Sequence, residues 1–358
     1  MIIHSLRRSG IAAVLMGAVV FGWAAVGVAD DDTATVASKQ EATSSAQEET
    51  LDAIKRRALQ IIQEHQARQL QFYGEVSAGA GYEKNPLYGS ARKGDGFTEE
   101  SLFLLWSKQL TRTITWQGSY IGDYTGYPHL TDASLTFSSL TPAKLLWQLN
   151  PMWRAEGGVD LGYVWFPKDG NSGYREFKPN VGIRQNLWGS WFHTLRFDSS
   201  LRRYIAAHAR DDAGNPKPAH RRDIRPRIRY EVGTTWLKTM LRVRNEWYWN
   251  DSNDQQQDFY DARDYKLTAS LTRPITQKLS LSASYSYELK HYLHRAVSQV
   301  SPDRARHDDI DTWNLAATYD LTPTWSVSPS FTYTRDRSNE PTGEYFDWTT
   351  ALALTAHF

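Results

Sequence analysis

The last stretch of the chain decides the fold, since residues 325–358 read WSVSPSFTYTRDRSNEPTGEYFDWTTALALTAHF. Apolar and polar residues alternate on both sides of the polar segment 337–343. Before it, Val327 and Phe331 share one parity. After it, Leu352 and Leu354 are in the same alternating series of positions as the terminal Phe358. Successive side chains of a β-strand point to opposite faces, so this period of two predicts an antiparallel hairpin with one apolar face.

The apolar face of such a hairpin can point into a core or towards lipid, and alternation alone does not choose between them. The hairpin resembles the closing hairpin of Gram-negative outer-membrane β-barrels, whose final strand alternates apolar residues and ends in Phe. The residues that carry the resemblance are Trp348, Leu352, Leu354 and Phe358. The resemblance implies an all-β, antiparallel up-and-down transmembrane barrel. It also implies that these residues are the signal recognised by the barrel-assembly machinery.

Composition limits the possible partners and chemistry. The 358 residues contain 41 Lys and Arg against 40 Asp and Glu, so no polyanionic partner such as nucleic acid is indicated. Cysteine is absent, which excludes disulfides, thiolate metal sites, a cysteine nucleophile and a lipoprotein anchor. Aromatic residues make up 13% of the chain, which suits the aromatic girdles of a membrane barrel.

The N-terminal part has a different pattern. Residues 1–29 are typical of a secretory signal peptide, because Arg7 and Arg8 precede an apolar run that ends in small residues. A retained inner-membrane anchor is the alternative, since the run is about as long as the shortest spanning helix. Residues 30–44 are predicted to form a flexible leader. Residues 45–70 are predicted to form an amphipathic helix that docks on the barrel's periplasmic rim, in its lumen as a plug, or on a periplasmic protein.

From residue 71 to the C-terminus the period is two, which predicts a barrel of about 14 strands, within a range of about 12 to 16. No segment after the signal region has about 20 uninterrupted apolar residues, so only strands remain to cross a membrane. Short connections alternate with longer polar ones such as 206–221 and 294–308, an asymmetry typical of outer-membrane barrels. An even strand number places both termini in the periplasm, and the long connections then face lipopolysaccharide. The segment 132–149 is predicted to place Leu135, Phe137, Leu145 and Trp147 on one face.

One group of strands departs from the neutral pattern, because the parity opposite its apolar face is rich in arginine. The predicted members of this basic, pore-lining wall are Lys178, Arg184, Arg196, Arg202, Arg225, Arg227, Arg229, Arg242 and Arg244. Arginine presents fixed donors that match carboxylate, phosphate or sulfate, and rails of cations select anions in pores. The alternative is a structural ladder in which lumen acids neutralise these side chains. Acids on the same parity are Asp198, Asp223, Glu231 and Glu246.

The pattern therefore predicts a porin-like outer-membrane channel for diffusion of small or oligomeric anionic solutes, similar in architecture and charge to anion-preferring porins. A non-conducting barrel that serves secretion or surface assembly, with a periplasmic partner on the helix 45–70, is a second hypothesis. A hydrolase with its site at the rim is a third. No Gly-x-Ser-x-Gly, His-Glu-x-x-His or phosphate-loop motif occurs, so the sequence predicts no enzyme, no catalytic residues, no cofactor and no metal.

Overall fold

The computed structural model describes residues 70–87, 93–169, 171–211, 213–255, 260–297, 301–340 and 343–358. The predicted signal peptide 1–29, the leader 30–44 and all but the last residue of the predicted helix 45–70 lie outside this part of the chain. Their predictions therefore stay predictions.

The described strands form one closed antiparallel barrel of 14 strands in sequence order, in which β1 pairs with β14. This confirms the predicted fold class and strand number. A 3-10 turn at Thr131–Ala133 precedes β4. The strands are β1 Gln71–Glu83, β2 Asp95–Gln109, β3 Ile114–Gly126, β4 Leu135–Gln148, β5 Trp153–Trp165, β6 Tyr174–Asn186, β7 Phe192–Arg210, β8 Pro216–Trp236, β9 Thr239–Ser252, β10 Ala262–Pro274, β11 Leu279–Val297, β12 Ser301–Thr322, β13 Trp325–Ser338 and β14 Tyr345–His357.

The outer face of the barrel is apolar and the inner face is polar. On β14, Leu352 and Leu354 point outwards and are 55% and 45% exposed, whereas Tyr345 and Asp347 point inwards and are buried. This is the reverse of a soluble sandwich, in which the apolar residues of each strand fill the core. Within the described residues, no helix is long and apolar enough to cross a membrane.

The C-terminal residue completes the closure between the last strand and the first. The Phe358 and Gly74 main chains exchange two N–H to C=O hydrogen bonds, each of 2.9 Å. The Phe358 ring lies 6.4 Å from the Phe72 ring, and Trp348 lies 5.4 Å from Tyr82 across the same seam. All four residues of the predicted assembly signal, Trp348, Leu352, Leu354 and Phe358, are on the outer face or at its end. Their recognition by assembly machinery stays a prediction.

The connections at one end of the barrel are short, but two segments predicted as long loops are in large part strand. β7 continues to Arg210 and β8 begins at Pro216, so the connection within 206–221 is only 211–215. β11 continues to Val297 and β12 begins at Ser301, within the predicted loop 294–308. Those two loop predictions were wrong. A strand that extends beyond the apolar outer surface keeps its hydrogen bonds to the neighbouring strand, but it no longer needs apolar residues.

A bulge also breaks the predicted parity of β4. The pairing of β4 with β5 shifts register between Leu140 and Ala143. As a result Leu135 is buried inside the barrel, whereas Leu145 and Trp147 lie outside and are 48% and 53% exposed. The prediction that these residues share one face was wrong, because one extra residue in a strand reverses the facing of all that follow.

The lumen is not uniformly polar. Tyr73, Phe103, Leu105 and Ile121 on β1 to β3 form a buried cluster on the inner face. A second inner cluster, towards the other end, contains Phe166, Tyr174 and neighbouring residues of β4 to β7. These clusters pack against the inner side of the barrel wall.

Candidate functional site

The predicted basic wall lies on four consecutive strands, at positions that alternate with the apolar outer face. All of its predicted members point into the barrel: Lys178 and Arg184 on β6, Arg196 and Arg202 on β7, Arg225, Arg227 and Arg229 on β8, and Arg242 and Arg244 on β9. The inward positions follow from regular strand alternation, which holds below the bulges at the tip of the β7–β8 hairpin.

Arg227 links three strands through two carboxylates. Its Nε donates to Asp198 of β7 at 3.0 Å, and its Nη1 lies 3.4 Å from Glu246 of β9. Glu246 also accepts from Nε of Arg229 at 2.6 Å. All of these side chains are largely buried, so the charges are held at short range away from bulk water. The contacts therefore form a ladder of the kind that the sequence left open as an alternative.

The other two predicted acids are also paired. Glu231 lies 3.1 Å from Nη2 of Arg244 and 3.9 Å from Nη1 of Arg242. Asp223 accepts from Nη2 of Arg221 at 2.6 Å, and the Arg221 guanidinium lies over an aromatic ring. Each predicted lumen acid therefore pairs with at least one guanidinium group of β8 or β9.

Four further charged residues belong to this network, namely Glu156, Lys144, Glu176 and Arg221. Glu156 accepts from Nε of Arg196 at 2.8 Å and pairs with Lys144 at 3.0 Å. Glu176 accepts from Nε of Arg202 at 3.0 Å. Glu176 lies two residues before Lys178 on the same strand, so strand alternation could have predicted that it faces the lumen. Lys144 and Arg221 lie next to strand irregularities, where parity cannot place a side chain.

Two arginines face each other without a carboxylate partner. Arg154 on β5 lies directly opposite Arg184 on β6, and no ion pair joins either to a carboxylate in the described part of the chain. The Nε atom of Arg154 is buried without a hydrogen-bond partner there, as is that of Arg242. The guanidinium carbons of Arg184 and Arg242 lie 3.8 and 5.8 Å from the centre of the Phe192 ring. The end of the lumen near the short turns is therefore locally cationic.

Cations exceed carboxylates on the inner face of β6 to β9. Five carboxylates lie there, namely Glu176, Asp198, Asp223, Glu231 and Glu246. Ten cations face them, namely the nine predicted members of the wall and Arg221. The salt bridges thus leave an excess of positive charge on this side of the barrel.

The opposite side of the barrel has the opposite charge. β8 is seven strands from β1 in either direction around the barrel, so β6 to β9 face β13, β14, β1 and β2. Among the described residues, the inner face of β13, β14 and β1 to β3 carries no lysine or arginine. It carries the acids Glu75, Glu83, Asp95, Glu99, Asp123, Asp336 and Asp347. The lumen therefore has a basic wall and an acidic wall, and the second was not predicted.

The described residues contain no group of three or more His, Asp or Glu side chains arranged to hold a metal ion. The expectation that no metal or cofactor is needed stays a prediction.

The barrel is similar to solved outer-membrane barrels. Outer-membrane expressed OmpT of Vibrio cholerae matches with a TM-score of 0.51 and 10% sequence identity, over 81% of this chain and 97% of that chain. An anion-selective porin from Comamonas acidovorans matches with a TM-score of 0.44 and 8% identity, over 81% of this chain and 99% of that chain. No protein-family model matches the chain, and no curated protein matches it significantly.

The comparison corrects one prediction, that the chain is not an enzyme. That prediction rested on the absence of short catalytic motifs. The similarity to OmpT overturns it, because a shared barrel fold admits more than one activity and gives no basis for excluding catalysis.

The fold is thus assigned by two agreeing observations. The described strands close into a barrel with an apolar outer face, and the barrel shares its fold with an outer-membrane protein at 10% identity. The resemblance stated from the C-terminal hairpin is confirmed: this chain has the fold of Gram-negative outer-membrane β-barrels.

Proposed function

We propose that the chain is an outer-membrane channel through which small or oligomeric anionic solutes diffuse along the basic wall. The observation that carries the proposal is the opposed pair Arg154 and Arg184, neither of which forms an ion pair with a carboxylate of the described residues. Like charges directly opposite each other on neighbouring strands are destabilising. An anion that passes between them relieves that repulsion and gains the donors of both guanidinium groups.

The exposure of the paired cations supports the same reading. Arg196 and Lys178 keep 25% and 18% of their side-chain surface exposed, so they present charge to the lumen while paired. Arg229 and Arg244 keep only 9% each. The wall therefore combines arginines that hold strands together with cations that a solute can meet, and such rails favour anions.

The acidic wall supports a path on one side of the lumen. An anionic group is repelled from β13, β14 and β1 to β3 and attracted to β6 to β9, and charges within about 8 Å interact before salt screens them. A solute with one anionic end is thereby oriented as well as attracted. Along with the channel we propose that both termini face the periplasm and that the long connections face lipopolysaccharide.

The test is the selectivity of single channels. The full chain is refolded, inserted in planar bilayers and placed in a gradient of potassium chloride, and the reversal potential is measured. We expect anion preference in the wild type and a shift towards cations in the double variant Arg154→Gln/Arg184→Gln. The shift should be larger at low salt and nearly absent at molar salt.

The matched control removes two outward-facing arginines, Arg263→Gln/Arg273→Gln, and should leave the reversal potential unchanged. A wild type that prefers cations would overturn the anion channel, because the acidic wall would then dominate. A silent barrel would overturn the channel itself. Equal shifts in both variants would show that total charge, and not the lumen pair, sets selectivity.

A further inference from the structure

A row of three arginines lies on the outer face of β6 to β8. Arg175 is directly opposite Arg203, and Arg203 is directly opposite Arg222. All three side chains are exposed and point away from the lumen. Directly opposed residues on neighbouring strands have Cβ atoms about 5 Å apart, so the Cβ atoms of the three arginines span about 10 Å of the outer surface. This outer arginine row is separate from the basic wall inside.

The outer arginine row is not neutralised by the described part of the chain. No ion pair joins Arg175, Arg203 or Arg222 to a carboxylate there. Asp251 is the acid nearest in register, since it lies opposite Ile224, two residues from Arg222, and it forms no ion pair with the row. Three like charges in line destabilise the sheet unless an external anion lies between them. The row is therefore built for a ligand with more than one negative charge.

The row borders an apolar surface of the same strands. Phe177, Leu201 and Ile224 form the next outward row and are also directly opposed to each other. They are 44%, 42% and 47% exposed. A ligand that contacts both rows needs anionic groups next to hydrocarbon, which is the composition of a phosphorylated lipid and not of a free anion.

We propose that the outer arginine row binds the phosphate groups of a phosphorylated glycolipid of the outer leaflet, the lipid A part of lipopolysaccharide, with acyl chains against Phe177, Leu201 and Ile224. Guanidinium groups match phosphate oxygens in pairs and are weakly hydrated, so they suit a site at a membrane surface. The inference rests on the orientation proposed above, in which the long connections face outwards, because the row lies at their end of the strands.

The test measures lipid binding to the full chain in neutral detergent micelles. Fluorescent lipid A is titrated with the barrel, and its anisotropy gives an apparent Kd. We expect the triple variant Arg175→Gln/Arg203→Gln/Arg222→Gln to bind on the order of a hundredfold more weakly than the wild type, from the typical contribution of each cation near a charged lipid surface. Lipid A without its phosphates should bind the wild type as weakly as the variant.

The matched control is Arg263→Gln/Arg273→Gln/Arg335→Gln. It removes three outward arginines, none of which is directly opposite another arginine. We expect its Kd to stay within about threefold of the wild type, since isolated surface charges act weakly through salt. An equal loss in this control would overturn the site in favour of diffuse attraction.

Two further measurements keep the result decisive. Competition by millimolar inorganic phosphate would overturn the lipid assignment, because a free anion would then suffice. If the triple variant does not fold, Arg203→Gln alone removes the central charge and should still weaken binding; an unchanged Kd would overturn the proposal. Conductance of the same preparation in planar bilayers tests the channel separately, so either proposal can fail without the other.

Discussion

Replacing Glu246 with glutamine tests whether the charges of β7 to β9 stabilise the barrel. Glu246 is 5% exposed and contacts Nε of Arg229 at 2.6 Å and Nη1 of Arg227 at 3.4 Å. At an effective dielectric constant of about 20, each contact represents roughly 5 to 6 kcal/mol of gross attraction. Desolvation of the three charged groups offsets most of it. The stability lost on substitution therefore comes mainly from the two guanidinium groups, which are left close together without the carboxylate they share.

We expect Glu246→Gln to lower the free energy of unfolding by about 3 kcal/mol, near the lower end of the cost of breaking a buried ion pair. The lower end applies because Arg227 keeps Asp198 at 3.0 Å and its side chain remains 17% exposed. A change of this size is on the order of a hundredfold in the folding equilibrium.

The assay is urea unfolding and refolding of the barrel in phospholipid vesicles, followed by tryptophan fluorescence in both directions. Glu344→Gln is the control, because it removes the same charge from an exposed residue next to β14. Its change should stay below about 0.5 kcal/mol. If Glu246→Gln changes stability no more than the control does, the ladder does not stabilise the barrel and the reasoning is refuted.

Two other predictions concern closure and orientation. Gly74→Ala should lower stability by about 1 to 3 kcal/mol, because the added methyl group meets the Phe358 ring. The control Gly157→Ala should leave stability unchanged, because the nearest atom to its added methyl group is 3.7 Å away. Equal yields of heat-modifiable barrel from the two variants would contradict this prediction. Since the chain has no native cysteine, an impermeant maleimide should label Asn215→Cys on intact cells and Gln277→Cys only after lysis; the reverse pattern would contradict the proposed orientation.

Strand parity was sufficient to place most of the charged side chains. Arg225, Arg227 and Arg229 were predicted to share a face, and they do, because β8 has no bulge between them. Their partners could not be predicted in the same way. Arg227 pairs with Asp198 and Glu246 on two different neighbouring strands, and that choice depends on inter-strand register, which one sequence does not specify.

The wrong predictions have a common physical cause. The alternation of apolar and polar residues shows which face of the sheet a side chain is on only while the strand is regular and one of its faces is apolar. The bulge after Leu140 moved Leu145 and Trp147 to the outer face. The segment 206–221 is in large part strand but has no apolar face, so its polar composition resembled that of a loop. The acidic wall was missed for another reason, because its members are dispersed over five strands and converge only when the barrel closes.

Opposed arginines that form no ion pair with a carboxylate of the described residues occur on both faces of the barrel around β6. Inside, Arg154 and Arg184 are opposed on β5 and β6; outside, Arg175 and Arg203 are opposed on β6 and β7. Elsewhere on these strands most cations have carboxylate partners, so pairing was available to the fold. Opposed like charges cost stability wherever they occur, and no ion pair with a carboxylate offsets that cost at either position within the described residues. One site faces the lumen and the other faces away from it, so a ligand bound at one does not contact the other. Loss of one should therefore leave the other intact, in conductance and in lipid binding respectively.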